Sequence, residues 1–134
     1  MNITVFQRRI VIGLAVGIVG VLVSLGIEVL ADINKSTIVP LGATLSVFVG
    51  AAVAGIICAD MFGHGGYLGW IYALLGAIAA TALGAFIAGT LLLPVEGGLY
   101  GMVAVFDVLT TQFIVLAAWC VMMGVVHQAI VFKT

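Results

Sequence analysis

Long apolar runs alternate with short polar segments along the whole chain. An apolar run of about 20 residues can cross a bilayer core about 30 Å thick as an α-helix. The pattern predicts four such helices, over residues 10–31, 38–59, 68–93 and 104–128. The segments between them read "DINKST", "DMFGHGGY" and "PVEGGLYG", which are rich in polar and turn-forming residues. We therefore predict an all-α fold in which residues 1–134 form a single transmembrane domain, an integral membrane bundle of four helices with short loops.

The length of the first apolar run and the position of Pro40 bear on the first and second predicted spans. Arg8 and Arg9, the apolar run and "VLA" at residues 29–31 resemble a signal peptide with a cleavage site. The run is longer than the usual ~7–15 apolar residues of a signal peptide, so we interpret it as the first membrane helix. Pro40 falls in the first turn of the second span, where a missing backbone N–H costs little.

The start of the fourth predicted span is also open to interpretation. A helix over residues 100–131 would be about 48 Å long at a rise of 1.5 Å per residue, which is more than the bilayer core requires. We therefore expect Asp107 at the outer interface as an N-cap or first-turn residue, where the helix dipole favours a carboxylate. Residues 102–106 would then be interfacial or an additional piece of helix.

The composition supports a membrane protein and excludes some functions. Of the 134 residues, 65% are hydrophobic and 7% are charged, whereas a soluble domain usually has about 25% charged residues. So few charges cannot cover a water-facing surface. The net charge of −1 argues against a nucleic-acid partner, which requires a basic surface.

The charged residues also predict an orientation in the membrane. Arg8, Arg9 and Lys133 lie near the two ends of the chain, and four spans place both ends on one side. The positive-inside rule makes that side cytoplasmic, with Asp60 on the same side and Lys35 as the one exception outside. We expect a bacterial inner (plasma) membrane. The outer level would be mainly acidic, with Glu28, Asp32, Glu96 and Asp107.

Small residues mark the faces where membrane helices pack, because lipid tails are as apolar as the side chains and close backbone approach becomes the main attraction. The third span carries two adjacent rows with a spacing of four residues. One interpretation is that both rows make contacts inside one tight bundle. The alternative is that one row faces another subunit, because a single small bundle does not easily bury two rows of one helix. The first row is Gly76, Ala80, Gly84 and Ala88, the second is Ala77, Thr81, Ala85 and Gly89, and further packing glycines are Gly13, Gly17 and Gly50.

The segment "CADMFGHGG" concentrates candidate metal ligands near the cytoplasmic side. The candidates are Cys58, Met61 and His64, together with Cys120, Met123 and His127 from the fourth span. Sulfur ligands suit Cu(I), imidazoles suit several metals, and two histidines at one level can ligate haem. The other interpretation is a simple turn, since Cys and Met are ordinary apolar fillers and the glycines suit a turn. We favour the turn and expect no metal or cofactor.

The function follows mainly from what the sequence lacks. We find no nucleophile–base pair, phosphate loop or zinc motif, and no carboxylate clearly at the centre of a span, where an ion path would need one. We therefore predict a non-catalytic accessory or assembly subunit of a larger membrane complex, with membrane lipids and other membrane subunits or further copies of itself as partners. The first alternative is a small oligomeric channel or transporter with an outer acidic entrance formed by Glu28 and Asp107. The second is a metal- or haem-binding membrane subunit.

Overall fold

The computed structural model describes residues 4–31 and 41–131. These residues contain no strand, so the predicted all-α class is confirmed. Residues 32–40, with Asp32, Lys35 and Pro40, lie outside the described residues, as does Lys133. The described chain forms five helices: α1 (Val5–Ala31), α2 (Leu41–Ile57), α3 (Gly66–Leu92), α4 (Gly97–Thr111) and α5 (Phe113–Val131).

Three of these helices, α1, α3 and α5, are long and apolar enough to cross a membrane. The helices α2 and α4 are also apolar but shorter, with 17 and 15 residues. The structure thus supports a membrane protein with three candidate spanning helices. A crossing by α2 stays a prediction.

Local sequence signals account for several helix ends. Thr4 and Gln7 form a reciprocal capping pair, in which Gln7 N–H donates to Thr4 Oγ1 and Thr4 N–H donates to Gln7 Oε1. This pair starts α1 at Val5, earlier than the predicted start at residue 10. At the end of α3, Pro94 restricts the preceding Leu93 to an extended conformation, with φ −135° and ψ 94°. The helix α3 therefore ends at Leu92.

The predicted fourth span, residues 104–128, is wrong as a single helix. The helix is interrupted at Gln112, which is extended with φ −108° and ψ 92°. The hydroxyls of Thr110 and Thr111 donate to the carbonyls of Phe106 and Asp107 one turn back, at 2.9 and 2.7 Å. Such bonds compete with the backbone ladder and bend helices.

Two expectations about this region change with the interruption. Asp107 lies near the end of α4, and Glu96 holds the N-cap position of that helix. The expectation that Asp107 caps a helix N-terminus is therefore wrong. Residues 102–106 belong to α4, which is the additional helix that one of our two alternatives for this segment described.

The helices α1 and α2 pack antiparallel through the glycines of α1. A Cβ atom placed on Gly13 would lie 2.8 Å from the backbone oxygen of Ala52, and one on Gly17 would lie 3.0 Å from the ring of Phe48. Both glycines, which we predicted to pack against another helix, therefore pack between two helices of this chain.

The first small-residue row of α3 is buried against α2 and the loop that follows α2. An added Cβ on Gly50 of α2 would lie 2.5 Å from the carbonyl oxygen of Gly84. One on Gly76 would lie 2.7 Å from the Cβ of Met61. All four members of the row are buried: Gly76, Ala80, Gly84 and Ala88.

The second row of α3 is covered largely by α4. Gly89 and Gly97 are in direct backbone contact, and an added Cβ on Gly101 would lie 2.6 Å from the carbonyl oxygen of Ala85. Both rows therefore face elements of the same chain. The second row is buried at Ala77 and only partly covered at Thr81, Ala85 and Gly89, so the alternative that one row also faces another subunit stays a prediction.

The start of α1 and the end of α5 meet at one end of the bundle. Both lie against Gly63, in the loop that joins α2 to α3. A Cβ on Gly63 would lie 2.5 Å from Ile130 Cγ2 and 3.0 Å from Arg8 Nη2. We call this region, with residues 58–66, the loop end of the bundle.

Candidate functional site

The segment "CADMFGHGG" at the loop end is a turn, as we favoured. A short 3-10 turn over Ala59–Met61 leads into bends. Gly63 has φ +83° and Gly66 has φ +78°, a conformation that residues with a Cβ rarely adopt. Gly63 and Gly66 are thus required by the path of the backbone.

The turn is held by polar contacts from α1 and α5. The guanidinium of Arg8 donates to the carbonyl oxygen of Phe62 at 2.6 Å. The N–H of Gly63 donates to Nδ1 of His127 at 3.2 Å. Arg9 and Asp60 form an exposed ion pair beside them. Three separate segments of the chain are therefore joined at the loop end.

His127 is the centre of this arrangement. Its side chain is 1% exposed, and its ring packs on that of Trp70 with centroids 4.8 Å apart. Because Nδ1 accepts the Gly63 N–H, that nitrogen is engaged by the backbone. His127 therefore acts as a structural acceptor that fixes the loop to α5.

The other candidate metal ligands have different surroundings. Cys58 is buried, which raises the pKa of its thiol, and Cys120 is exposed on α5. Met123 lies in the hydrophobic core and the ring of His64 lies near that of Tyr72. Within the described ranges, no three His, Cys, Asp or Glu side chains converge in a way that could hold a metal ion.

The two carboxylates of the predicted acidic entrance occupy different helices. Asp107 is exposed on α4. Glu28 is only partly exposed, and its Oε2 atom is buried without a hydrogen-bond partner among the described residues. Neither is among the described residues that line the central cavity of the bundle. A shared entrance formed by Glu28 and Asp107 stays a prediction.

That central cavity is partly open to the outside, has a volume of about 200 Å³ and is bordered by all five helices. Its wall is made largely of Val, Ile, Leu, Ala and Gly side chains. Trp119 forms part of the wall, held in place because its Nε1–H donates to Thr81 Oγ1 at 3.0 Å. The sequence analysis missed this cavity. Glycines from different helices line it, such as Gly20, Gly84 and Gly101, but each is packed closely against a neighbouring helix, so their spacing in the sequence does not indicate a cavity.

A second apolar space lies between α1 and α5, and we call it the α1–α5 crevice. It has a volume of about 340 Å³ and is lined by residues such as Leu22 and Gly26 of α1 and Ile114 and Ala118 of α5. Val23 lines both the crevice and the central cavity. The two spaces are therefore neighbours separated by one side chain.

No protein-family model, curated protein or solved structure matches this chain. Its own residues therefore have to indicate what it can bind. The described part of the chain offers apolar faces, an apolar cavity and a buried histidine that serves the backbone. These features suit packing and the binding of apolar groups.

Proposed function

We propose that this chain is a non-catalytic accessory or assembly subunit of a larger membrane complex. In this proposal α1, α2, α3 and α5 cross a bacterial inner membrane, and α4 is an extra helix packed on α3. The loop end, with Arg8 and Arg9, faces the cytoplasm, in accordance with the positive-inside rule. The antiparallel packing of α2 on α1 supports a crossing by α2.

The length of α2 is compatible with that crossing. Its 17 residues span about 26 Å at 1.5 Å per residue, against a bilayer core of about 30 Å. A deficit of a few Å is met by local thinning of the bilayer at modest cost. The predicted second span also begins before Leu41, at residue 38.

The observation that carries the proposal is the distribution of apolar and polar groups. The outward faces of the described helices expose large apolar side chains along their length, among them Leu14 and Ile18 of α1, Leu75 of α3 and Val121 of α5. The ion pair between Arg9 and Asp60 lies at the loop end. A protein with this surface meets its partners mainly through helix faces within the bilayer.

The outward face of α5 is the best candidate for that contact. The glycines Gly13, Gly17 and Gly50 are engaged within the chain, so they are not free to bind a partner. On α5, Ala117 and Cys120 are small and exposed, which permits close approach of another helix. The outward face of α1 carries bulky Leu and Ile side chains instead.

Purification in a mild detergent tests this proposal. We expect other membrane chains to co-purify, and we expect Ala117→Leu to release them without lowering the melting temperature. Ala79→Leu, at an exposed alanine of α3, is the matched control and should retain them. Isolation of the wild-type chain alone, or equal retention by both variants, would contradict the proposed contact.

One observation favours the alternative of a channel or transporter. The Oε2 atom of Glu28 is buried without a hydrogen-bond partner among the described residues, and such a carboxylate can attract a cation. Flux through reconstituted liposomes tests this alternative. Conduction by the chain alone that is lost on Glu28→Gln or Asp107→Asn would replace the accessory function with a transport function.

A further inference from the structure

The wall of the central cavity is unsuited to water. Among the described residues that line it, Ser24, Thr81 and Trp119 are those with N–H or O–H groups in their side chains. Trp119 and Thr81 already bond to each other. A buried water needs two to four polar partners, and the cavity offers few. The wall therefore suits an apolar occupant.

The size of the cavity favours an occupant over a void. Atoms that line an empty space lose their dispersion contacts, so a void destabilises the fold in proportion to its volume. A cavity of about 150 Å³ lined by apolar side chains is large enough to take up benzene. The cavity here, at about 200 Å³, has room for a hydrocarbon group of somewhat larger size.

The α1–α5 crevice lies beside the cavity and is open to the outside of the bundle. It is apolar and lies between two helices whose neighbouring residues Leu25 and Ile114 are exposed on the outside of the bundle. It leads past Val23, which borders both spaces. An apolar crevice between two membrane helices is accessible to a hydrocarbon chain that approaches from the side. In a membrane, the abundant linear hydrocarbons are lipid acyl chains.

We propose that the α1–α5 crevice and the central cavity together bind one acyl chain of a membrane lipid. The chain lies along Leu22 and Gly26 in the crevice, and its end passes Val23 towards Trp119. This inference rests on the membrane insertion proposed above. It goes beyond that proposal because it assigns a lipid ligand to the interior of the bundle.

The two tryptophans of the chain allow a direct test. Trp119 lines the cavity and is 6% exposed, whereas Trp70 is 46% exposed on the outside of α3. Bromine atoms on an acyl chain quench a tryptophan that they touch. The variant Trp70→Phe, which retains Trp119, is reconstituted in phosphatidylcholine vesicles with acyl chains brominated near the carboxyl end or near the middle, and in unbrominated vesicles. We expect the emission of Trp119 to fall about as far as that of Trp70 measured in Trp119→Phe.

Two glycine variants then locate the bound chain. An added Cβ on Gly26 or on Gly42 meets no atom of the described residues within 4 Å, so both positions have space for a larger side chain. Gly26 lines the crevice and Gly42 lies at the exposed start of α2. In the Trp70→Phe background, Gly26→Leu should abolish the quenching of Trp119 and Gly42→Leu should leave it intact.

The remaining outcomes separate this inference from membrane insertion. Quenching of Trp70 without quenching of Trp119 would overturn the acyl-chain site and leave insertion standing. Quenching of Trp119 that survives Gly26→Leu would also overturn the site as described, because the chain would then reach Trp119 by another path. If neither tryptophan were quenched, insertion itself would be wrong and the site would be lost with it.

Discussion

The two sides of the bundle are held together in different ways. Between α1, α2 and α3 the contacts bring glycine backbone against backbone, as at Gly50 and Gly84. The helix α5 is attached by large side chains and by two long-range hydrogen bonds, those of Trp119 and His127, and the cavity and crevice lie beside it. Yet α3 and α5 have the same mean hydropathy. Hydropathy thus indicates which helices can enter a membrane, whereas side-chain size decides how closely they pack.

The glycine-packed side should be the more sensitive to added bulk. Gly50→Leu should lower the free energy of unfolding by about 3 kcal/mol, because the new side chain meets the backbone of Gly84 and Ala88, which cannot move aside cheaply. Thermal unfolding in detergent measures the effect. Gly42→Leu, which meets no neighbour, is the control. If both variants melted alike, the backbone contact between α2 and α3 would be wrong.

Loss of the attachment of α5 at the loop end should have the second largest effect on the free energy of unfolding. His127→Leu keeps an apolar contact with the ring of Trp70 but leaves the N–H of Gly63 without its acceptor. A buried donor without a partner costs about 2 kcal/mol. His127→Gln offers a new acceptor and should recover part of the loss. Equal stability of wild type and His127→Leu would show that the histidine does not hold the loop.

Loss of the hydrogen bond between Trp119 and Thr81, beside the cavity, should lower the free energy of unfolding by less. Thr81→Val removes the acceptor of the Trp119 indole at nearly constant volume, and we expect a loss of about 1 kcal/mol, the low end for an unpaired donor, because the indole borders the cavity and has room to shift. In a double-mutant cycle, Thr81→Val should cost less when Trp119 is already phenylalanine. Strictly additive losses in the two single variants would mean that the pair does not interact.

The exposed ion pair should have the smallest effect. The side chains of Arg9 and Asp60 are 45% and 68% exposed, and pairs of this kind contribute about 0.5 kcal/mol or less. Asp60→Asn should therefore shift the melting temperature little, and the shift should vanish at high salt. A loss as large as that of His127→Leu would mean that the pair, and not the histidine, holds the loop end together.

The sequence predicted much of the first three helices. Pro94 and the glycine-rich turn indicated the ends of α3 to within two residues of the structure, at Gly66 and Leu92, because such residues act locally on the backbone. The interruption at Gln112 was not predicted, although four polar residues lower the hydropathy there, namely Asp107, Thr110, Thr111 and Gln112. Its signal is the pair Thr110 and Thr111, whose side chains bond to the preceding turn.

The candidate site was predictable only in part. The turn at "CADMFGHGG" follows from its glycines, which the backbone conformation requires. The role of His127 as acceptor for Gly63 depends on two segments 64 positions apart in sequence. The cavity likewise depends on how all five helices meet. Such tertiary features leave no pattern in a single stretch of sequence.

The crossing by α2 is the central claim of this account, since it decides whether the chain spans the membrane four times. Single cysteines at Lys35 and at Asp60 flank α2, and Cys58→Ala and Cys120→Ala remove the native thiols. Labelling of intact cells with a membrane-impermeant reagent should modify Lys35→Cys from outside and leave Asp60→Cys accessible only after the cells are opened. Modification of both cysteines from the same side would contradict the four-crossing arrangement.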